Sequence, residues 1–225
     1  MTTMTLKLAV ISSLLCACSW FCGGVPLSAQ EALKVDKEAK TVFIPAKVAL
    51  RKLPDLAEIY PLEVICTFAK GEKKHETVVT SEVKPSEIHK ALESLGLKPG
   101  KPAKGEGAKA EGPETEIFVE IPKTGAPPER IAIEKLIVDR TTGKPLPKLK
   151  WLFTGSAQKQ PDPDKPEKVY GADFTGTLIS IFPVTEDTVL QTNLTMKEEK
   201  LIKLETNKKL LPAEGTAVML VIVVK

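Results

Sequence analysis

Beyond residue 29 this 225-residue chain has one cysteine, Cys66, and its only two histidines are His75 and His89. One thiol cannot close an internal disulfide, nor supply the four thiolates of an iron–sulfur cluster or a structural zinc site. Aromatic residues make up only 5% of the chain, and 32 Lys plus Arg face 29 Asp plus Glu for a net charge of +3. So little stacking surface, without a concentrated basic block, excludes nucleic acid as an expected partner. The sequence has no Gly-x-Ser-x-Gly, Walker loop, dinucleotide fingerprint or His-Glu-x-x-His, so no cofactor is predicted. With 18 Pro and 14 Gly breaking the chain, long helices and coiled coils are excluded as well.

What is present begins with an address. Lys7 is followed by the uncharged stretch from Leu8 to Val25 and then by Pro26-Leu27-Ser28-Ala29, the layout of an export signal cut after Ala29. Two other fates fit the same segment. Leu15-Cys16-Ala17-Cys18 resembles a lipobox in which Cys18 is lipidated, and about 18 apolar residues just suffice for an uncleaved anchor. All three predict an exported protein, periplasmic or secreted, that meets a membrane only through its N-terminus. Residues 30–225 then form one domain.

Within that domain, Leu62, Val64, Cys66 and Phe68 alternate onto one face, Lys70-Gly71-Glu72-Lys73 reads as a turn, and His75 to Val79 reads as a returning strand. A hairpin here pairs Phe68 with His75, Cys66 with Thr77 and Val64 with Val79, leaving Cys66 as an inert core thiol. Ile88, Ala91, Leu92 and Leu95 follow helical spacing after Pro85 and before Gly96, predicting a helix over about 85–95. Residues 97–113 are rich in Gly, Lys and Pro and read as a flexible insertion, and 157–168 as a Pro-rich loop. Strand-like runs follow at 116–121, 130–138, 149–154, 177–182, 188–192 and 216–224, with a slip in alternation at Glu134-Lys135 that suggests a bulge. Val218 to Val224 is apolar on both faces, which predicts a central strand. The expected fold is therefore α+β: a mostly antiparallel sheet covered by one main helix.

Several of these stretches resemble the YdjY domain family. They are Gly71-x-x-x-His75-Glu76-Thr-Val-Val, and Lys84-Pro85-Ser86-x-Ile88-His89-x-Ala91-Leu92 continuing through Leu95-Gly96 to Pro99-Gly100. Later blocks are Trp151-Leu-Phe-Thr-Gly-Ser156, Tyr170-Gly-Ala-Asp173, Gly176-Thr-Leu-Ile179, and Asn207 with Pro212, Gly215, Thr216 and Val218. The resemblance implies an exported domain, common in planctomycete-type bacteria, whose activity is not established. A ferredoxin-like label carried by some relatives does not transfer, because no Cys-x-x-Cys lies outside the leader. The chain departs from the family pattern by its insertion at Lys101 to Pro113 and by lacking a Leu-Asp-Leu-Pro-like stretch near Val189-Leu190.

Two sets of residues are candidates for chemistry. His75, Glu76 and His89 are the ligand types of a two-histidine, one-carboxylate metal site, if the helix packs over the hairpin. The helix start, with Lys84 and Ser86, offers free N–H groups and a positive dipole to an anion. Asp162, Asp164 and Glu167 read as solvated loop charge. The expectation is a non-catalytic cell-envelope binding module for a protein or small ligand, using His75, Glu76, Lys84, Ser86 and His89. A metal-dependent or hydrolytic enzyme built on His75, Glu76 and His89 is the alternative.

Overall fold

Residues 32–55 and 57–225 are described by a computed structural model of the chain; the predicted leader, including Cys16, Cys18, Cys22 and the cut after Ala29, lies outside them. In chain order the first half contains β1 (Lys34–Asp36), β2 (Thr41–Val48), β3 (Val64–Phe68), β4 (Thr77–Ser81), α1 (Pro85–Ser94), β5 (Glu114–Lys123) and β6 (Ala126–Ala132). The second half contains β7 (Ile137–Asp139), β8 (Trp151–Phe153), β9 (Gln158–Lys159), β10 (Val169–Tyr170), α2 (Gly171–Thr175), β11 (Thr177–Ser180), β12 (Leu190–Thr192), α3 (Met196–Leu201), β13 (Leu204–Thr206) and β14 (Ala217–Val224).

Eight strands close into a barrel in the order β2-β14-β5-β8-β12-β11-β3-β4, because β4 turns back to pair with β2. This corrects the expected sheet covered by one main helix. The described residues are mostly β, and among them α1 is only one of three short α-helices. Eight strands leave an interior just wide enough for side chains to fill. Val42, Ile44, Val64, Cys66, Val79, Phe153, Ile179, Leu190, Leu220 and Ile222 fill it, all fully buried.

The hairpin expected over 62–79 is not formed. β3 and β4 pair in parallel, with Val64 opposite Thr77 and Cys66 opposite Val79. β11 and β12 are likewise parallel, whereas β3 and β11 run antiparallel. Ile65 and Val78 are fully buried on the face that a half-exposed hairpin gives to solvent, and burial on both faces is the habit of parallel strands. The chain leaving β3 crosses the barrel end under tight constraint. Phe68 N–H donates to the Gly176 carbonyl at 2.7 Å, and Gly176, at φ 78°, has no room for a side chain: an added Cβ would lie 2.7 Å from Gly71 Cα.

The seam between β2 and β4 is short. Lys47 pairs with Thr80 and Val48 with Val79, Ala49 N–H donates to the Val78 carbonyl, and the Ser81 hydroxyl donates to the Pro45 carbonyl at 2.7 Å. β1 occupies the other end of the same edge of β2, opposite residues 41–43. On the outer wall Phe43, Val221 and Phe118 lie side by side, and the Arg130 guanidinium covers both rings at about 6 Å. This accounts for the burial of Val221 on an outward position.

Other expectations fall into place or shift slightly. β14 is central, between β2 and β5. The slip at Glu134-Lys135 is a 3-10 turn over Ile133–Leu136, which separates β6 from β7. α1 ends at Gly96, φ 89°, with Leu97 N–H returning to the Leu92 carbonyl. The 97–113 stretch is pinned to the barrel. Gly100 N–H donates to the Phe153 carbonyl, Lys101 and Glu111 pair, and buried Ala103 exchanges two hydrogen bonds with the Gln191 amide. The 157–168 loop is closed at its base by the β9–β10 ladder.

The Ser81 hydroxyl also accepts the Val83 N–H, so Ser81→Ala leaves two buried backbone groups without partners at the seam. Urea unfolding should show a loss of about 1–3 kcal/mol, and hydrogen exchange should show it concentrated in β2 and β4.

Candidate functional site

His75 and Glu76 precede β4, and His89 follows it in α1. Five extended residues span roughly 17 Å, so the parallel arrangement sends the two groups to opposite ends of the barrel. The neighbours agree. Glu76 O accepts from the Glu63 and Val64 amides, and Glu63 O accepts from Ile181 at one end of β11. His89 lies against Phe153 and Tyr170, the latter adjoining α2 at the other end of β11. The three side chains nominated for a shared metal site therefore do not converge. Among the described residues no group of three His, Cys, Asp or Glu is placed to hold a metal ion.

At the His89 end, Ser86, His89, Ser156 and Tyr170 all have hydrogen-bond partners, while buried Asp187 Oδ1, beside Gly171, has none and lies 3.4 Å from Lys159 Nζ. His89 Nδ1 and the Tyr170 hydroxyl are hydrogen-bonded at 2.8 Å, and the same hydroxyl accepts the Ser156 N–H at 3.1 Å. Ser156 Oγ in turn accepts the Ala172 N–H at 2.9 Å. Burial pushes the Tyr170 phenol well above its usual range, which makes it a fixed hydrogen-bonding node and a poor nucleophile. The helix start is also taken. Asp173 Oδ1 accepts the Ser86 N–H at 2.8 Å, while the Glu87 and Ile88 amides turn to the Lys84 carbonyl. The positive end of the dipole that the sequence offers to an external anion thus holds the chain's own carboxylate. Lys84 contributes its carbonyl, and its residue is exposed. Asp173 lies 87 positions from Ser86, too far for local pattern to connect them.

At the opposite end a cleft of about 160 Å³ is open to solvent. Buried Leu62 and Phe182 form part of its lining with Pro61 and Ile202, and Tyr60, Glu63, Glu76, Glu199 and Lys203 complete it. Lys73 Nζ bridges the carboxylates of Glu63 and Glu76, while Lys203 stands 3.6 Å from Glu199. Burial pushes the Glu63 carboxyl above its ordinary value in spite of Lys73. Burial pulls Lys73 down, but its bonds to Glu63 and Glu76 outweigh that and leave it above the usual lysine value. The His75 ring meets the Tyr60 ring edge-on at 5.5 Å, its Nε2 is 3.3 Å from Glu76, and its Nδ1 is buried without a partner.

Tyr60 is 46% exposed, yet its backbone is clamped. The guanidinium of Arg51, only 3% exposed, donates to the carbonyls of Tyr60 and His75 and through Nε to Glu205 at 3.1 Å. Arg140 donates to the Ile59 carbonyl at 2.8 Å and to the other Glu205 oxygen at 2.7 Å. Burial alone raises the Glu205 carboxyl, but the Thr206 amide and the two arginines more than offset it, so the group sits below its ordinary value. Arg51, Tyr60 and Glu205 carry no local sequence signal, because they come from one irregular connection and a three-residue strand.

Removing the buried Arg51 takes the donor from the His75 carbonyl, weakens the hold on Tyr60 and leaves Glu205 to Arg140 and the Thr206 amide, so Arg51→Ala should cost about 1–3 kcal/mol in urea unfolding. The more exposed Arg140→Ala should cost less than about 1 kcal/mol. Because Glu205 is lowered in the folded state, its contribution is complete above the unfolded carboxyl value of about 4.3 and is lost as pH falls through the lower native value. Glu205→Gln should remove that part of the acid-side slope in pH-dependent melts.

The family model described as the YdjY domain matches residues 33–223. No curated protein and no solved structure matches the chain.

Proposed function

The chain belongs to the YdjY domain family, and from that premise we propose that it is a non-catalytic binding module of the cell envelope. The observation that carries this reading is the clamped cleft at the Tyr60 end. A filled barrel has no interior chamber to offer, so recognition falls to its ends, and at the His89 end the helix start and the imidazole are already bonded to Asp173 and Tyr170. At the Tyr60 end an exposed aromatic is held on a rigid backbone beside carboxylates and an apolar wall. Aromatic anchors held in advance lose little entropy on binding, which is how small sites reach useful affinity. His75 and Glu76 belong to this end, and Lys84, Ser86 and His89 support the fold at the other. The alternative, a metal-dependent or hydrolytic enzyme using His75, Glu76 and His89 together, is the weaker reading, since β4 lies between those residues.

Export is part of the proposal. The uncharged run before Ala29 supports it, and the one thiol among the described residues, Cys66, is fully buried and unpaired. An oxidising compartment has nothing here to cross-link.

A photoreactive benzophenone residue placed at Leu201, 71% exposed next to the cleft residue Ile202, tests the binding surface in cells. Discrete cross-linked products should form there, should be absent when the probe replaces the equally exposed Phe174 at the other end, and should fade with Tyr60→Ala. Products that form equally from both sites, or that ignore Tyr60→Ala, would refute the assignment. Separately, zinc added to the purified protein should leave Tm unchanged; a concentration-dependent rise would favour the metal-dependent reading.

A further inference from the structure

The strap formed by residues 97–113 is held to the barrel wall almost wholly through its main chain. Gly100 N–H donates to the Phe153 carbonyl at 3.0 Å, and Gly105 N–H to the Pro183 carbonyl at 2.9 Å. Between them the Gln191 amide takes both main-chain groups of Ala103: Oε1 accepts its N–H at 2.8 Å, and Nε2 donates to its carbonyl at 3.1 Å. A side-chain amide offers an acceptor and a donor side by side, as a neighbouring strand does, and a further bond to the Thr185 carbonyl at 3.3 Å fixes its orientation. Gln191 is fully buried, so it serves the strap and not solvent. The bonds lead from β8 across β12 to the chain just past β11, three consecutive strands of the barrel. Of the strap's own residues only Ala103 is buried, at 3% exposure.

The composition of the strap works against its seat. Its 17 residues include four Gly, three Pro and four Lys. One buried methyl group adds little apolar burial, while glycine loses the most freedom on being fixed. The Glu106–Lys200 and Lys104–Glu186 pairs are exposed and contribute little. A segment with so few buried contacts belongs to the part of a fold that opens on its own, well before the barrel unfolds.

We propose that the strap is a displaceable self-ligand, and that the wall beneath it binds the main chain of an exposed segment of a partner protein, with a small side chain where Ala103 sits. The occupant is defined by what already fills the site: three N–H groups and one carbonyl of a chain segment, and one methyl group. Main-chain bonds of this kind supply affinity whatever the sequence, and the pocket for a side chain supplies the selection. With the strap seated the wall is closed, so this surface is separate from the Tyr60 cleft and is judged independently of it. Gly100 fits the part of a self-ligand. A Cβ there would lie 2.0 Å from the carbonyl oxygen of Glu111 in the strap's returning leg, a restriction that a partner's segment, having no returning leg, escapes.

The test is an NMR titration of the full-length chain with a capped peptide of residues 99–106, Pro-Gly-Lys-Pro-Ala-Lys-Gly-Glu. Two substitutions unseat the strap and leave Phe153, Pro183 and Gln191 in place. Ala103→Glu puts a charge into the buried seat, and Gly100→Val wedges the two legs of the strap apart. Faster hydrogen exchange at the Gly105 amide should report the unseating, and unchanged β14 signals an intact barrel. In either variant the peptide should shift the Gln191 side-chain amide and the amides flanking Phe153 and Pro183. The unsubstituted chain, its strap seated, should bind the peptide at least about tenfold more weakly. A peptide N-methylated at its alanine, which lacks the N–H that Gln191 accepts, should lose about tenfold in affinity. Gln191→Leu added to Ala103→Glu should abolish binding. Equal binding to seated and unseated chains, indifference to N-methylation or to Gln191→Leu, or no binding to either variant overturns the proposal. A Gly105 amide that stays protected in both variants overturns it as well, because the strap is then a fixed part of the wall.

Discussion

The parallel pairing of β3 with β4 is the constraint on which the rest of the molecule depends. A hairpin would return the chain along the same edge, with β4 running opposite to β3. Running instead in the same sense, β4 presents its free edge antiparallel to β2, and the barrel closes through Lys47, Val48, Thr80 and the Ser81 hydroxyl. The connection at residues 69–76 is too short for the helix that usually joins parallel strands. It crosses the barrel end against the turn at Gly176, where two glycine backbones touch. That crossing, repeated in spirit by β11 and β12, sends His75 to one mouth and α1 to the other.

The long irregular stretch between β2 and β3 creates a second problem, since its backbone carbonyls have no ladder to join. Buried or half-buried carbonyls need donors, and a guanidinium offers five N–H groups in a fixed fork. Arg51 and Arg140 answer that need together, joined by the two oxygens of Glu205. Taking a charge out of water costs several kcal/mol, so burying Arg51 is an expensive way to gain stability. It does fix the path of the chain at Ile59 and Tyr60, which ordinary hydrophobic packing around an exposed tyrosine would not.

How far the sequence reveals this structure can be judged strand by strand. Helix α1, the central place of β14 and the burial of Cys66 are all visible in apolar spacing, because each depends on residues near one another. The fold class is not visible, and the reason lies at Thr41–Val48. Val42, Ile44, Ala46 and Val48 alternate inward there, but Pro45 interrupts the run, and prolines argue against interior strands. The structure accepts it where β2's edge passes from β1 to β4, and the Ser81 hydroxyl serves the Pro45 carbonyl. Without β2 the remaining runs describe an open sheet, and α1 is left to cover it. The apolar pair Val78-Val79, buried on both faces, is the one local hint that β4 is not a hairpin strand.

The candidate site divides along the same line. Motif reading gathers His75, Glu76 and His89 because they are close in sequence and chemically suited to metal. Topology separates them, and each then takes meaning from distant residues: His89 from Ser156 and Tyr170, Ser86 from Asp173, Glu76 from Lys73 and Glu63. Electrostatics alone does not decide which end remains open. At the His89 end the helix dipole has its carboxylate and the imidazole Nδ1 has its hydroxyl, so a ligand there would have to displace bonds already made. At the Tyr60 end Lys73 pairs with Glu63 and Glu76, Lys203 with Glu199, and Arg51 and Arg140 with Glu205, so the charges are met there too, beside a small apolar cleft. The two mouths therefore differ chiefly in the clamped backbone at Ile59 and Tyr60 and the cleft beside it.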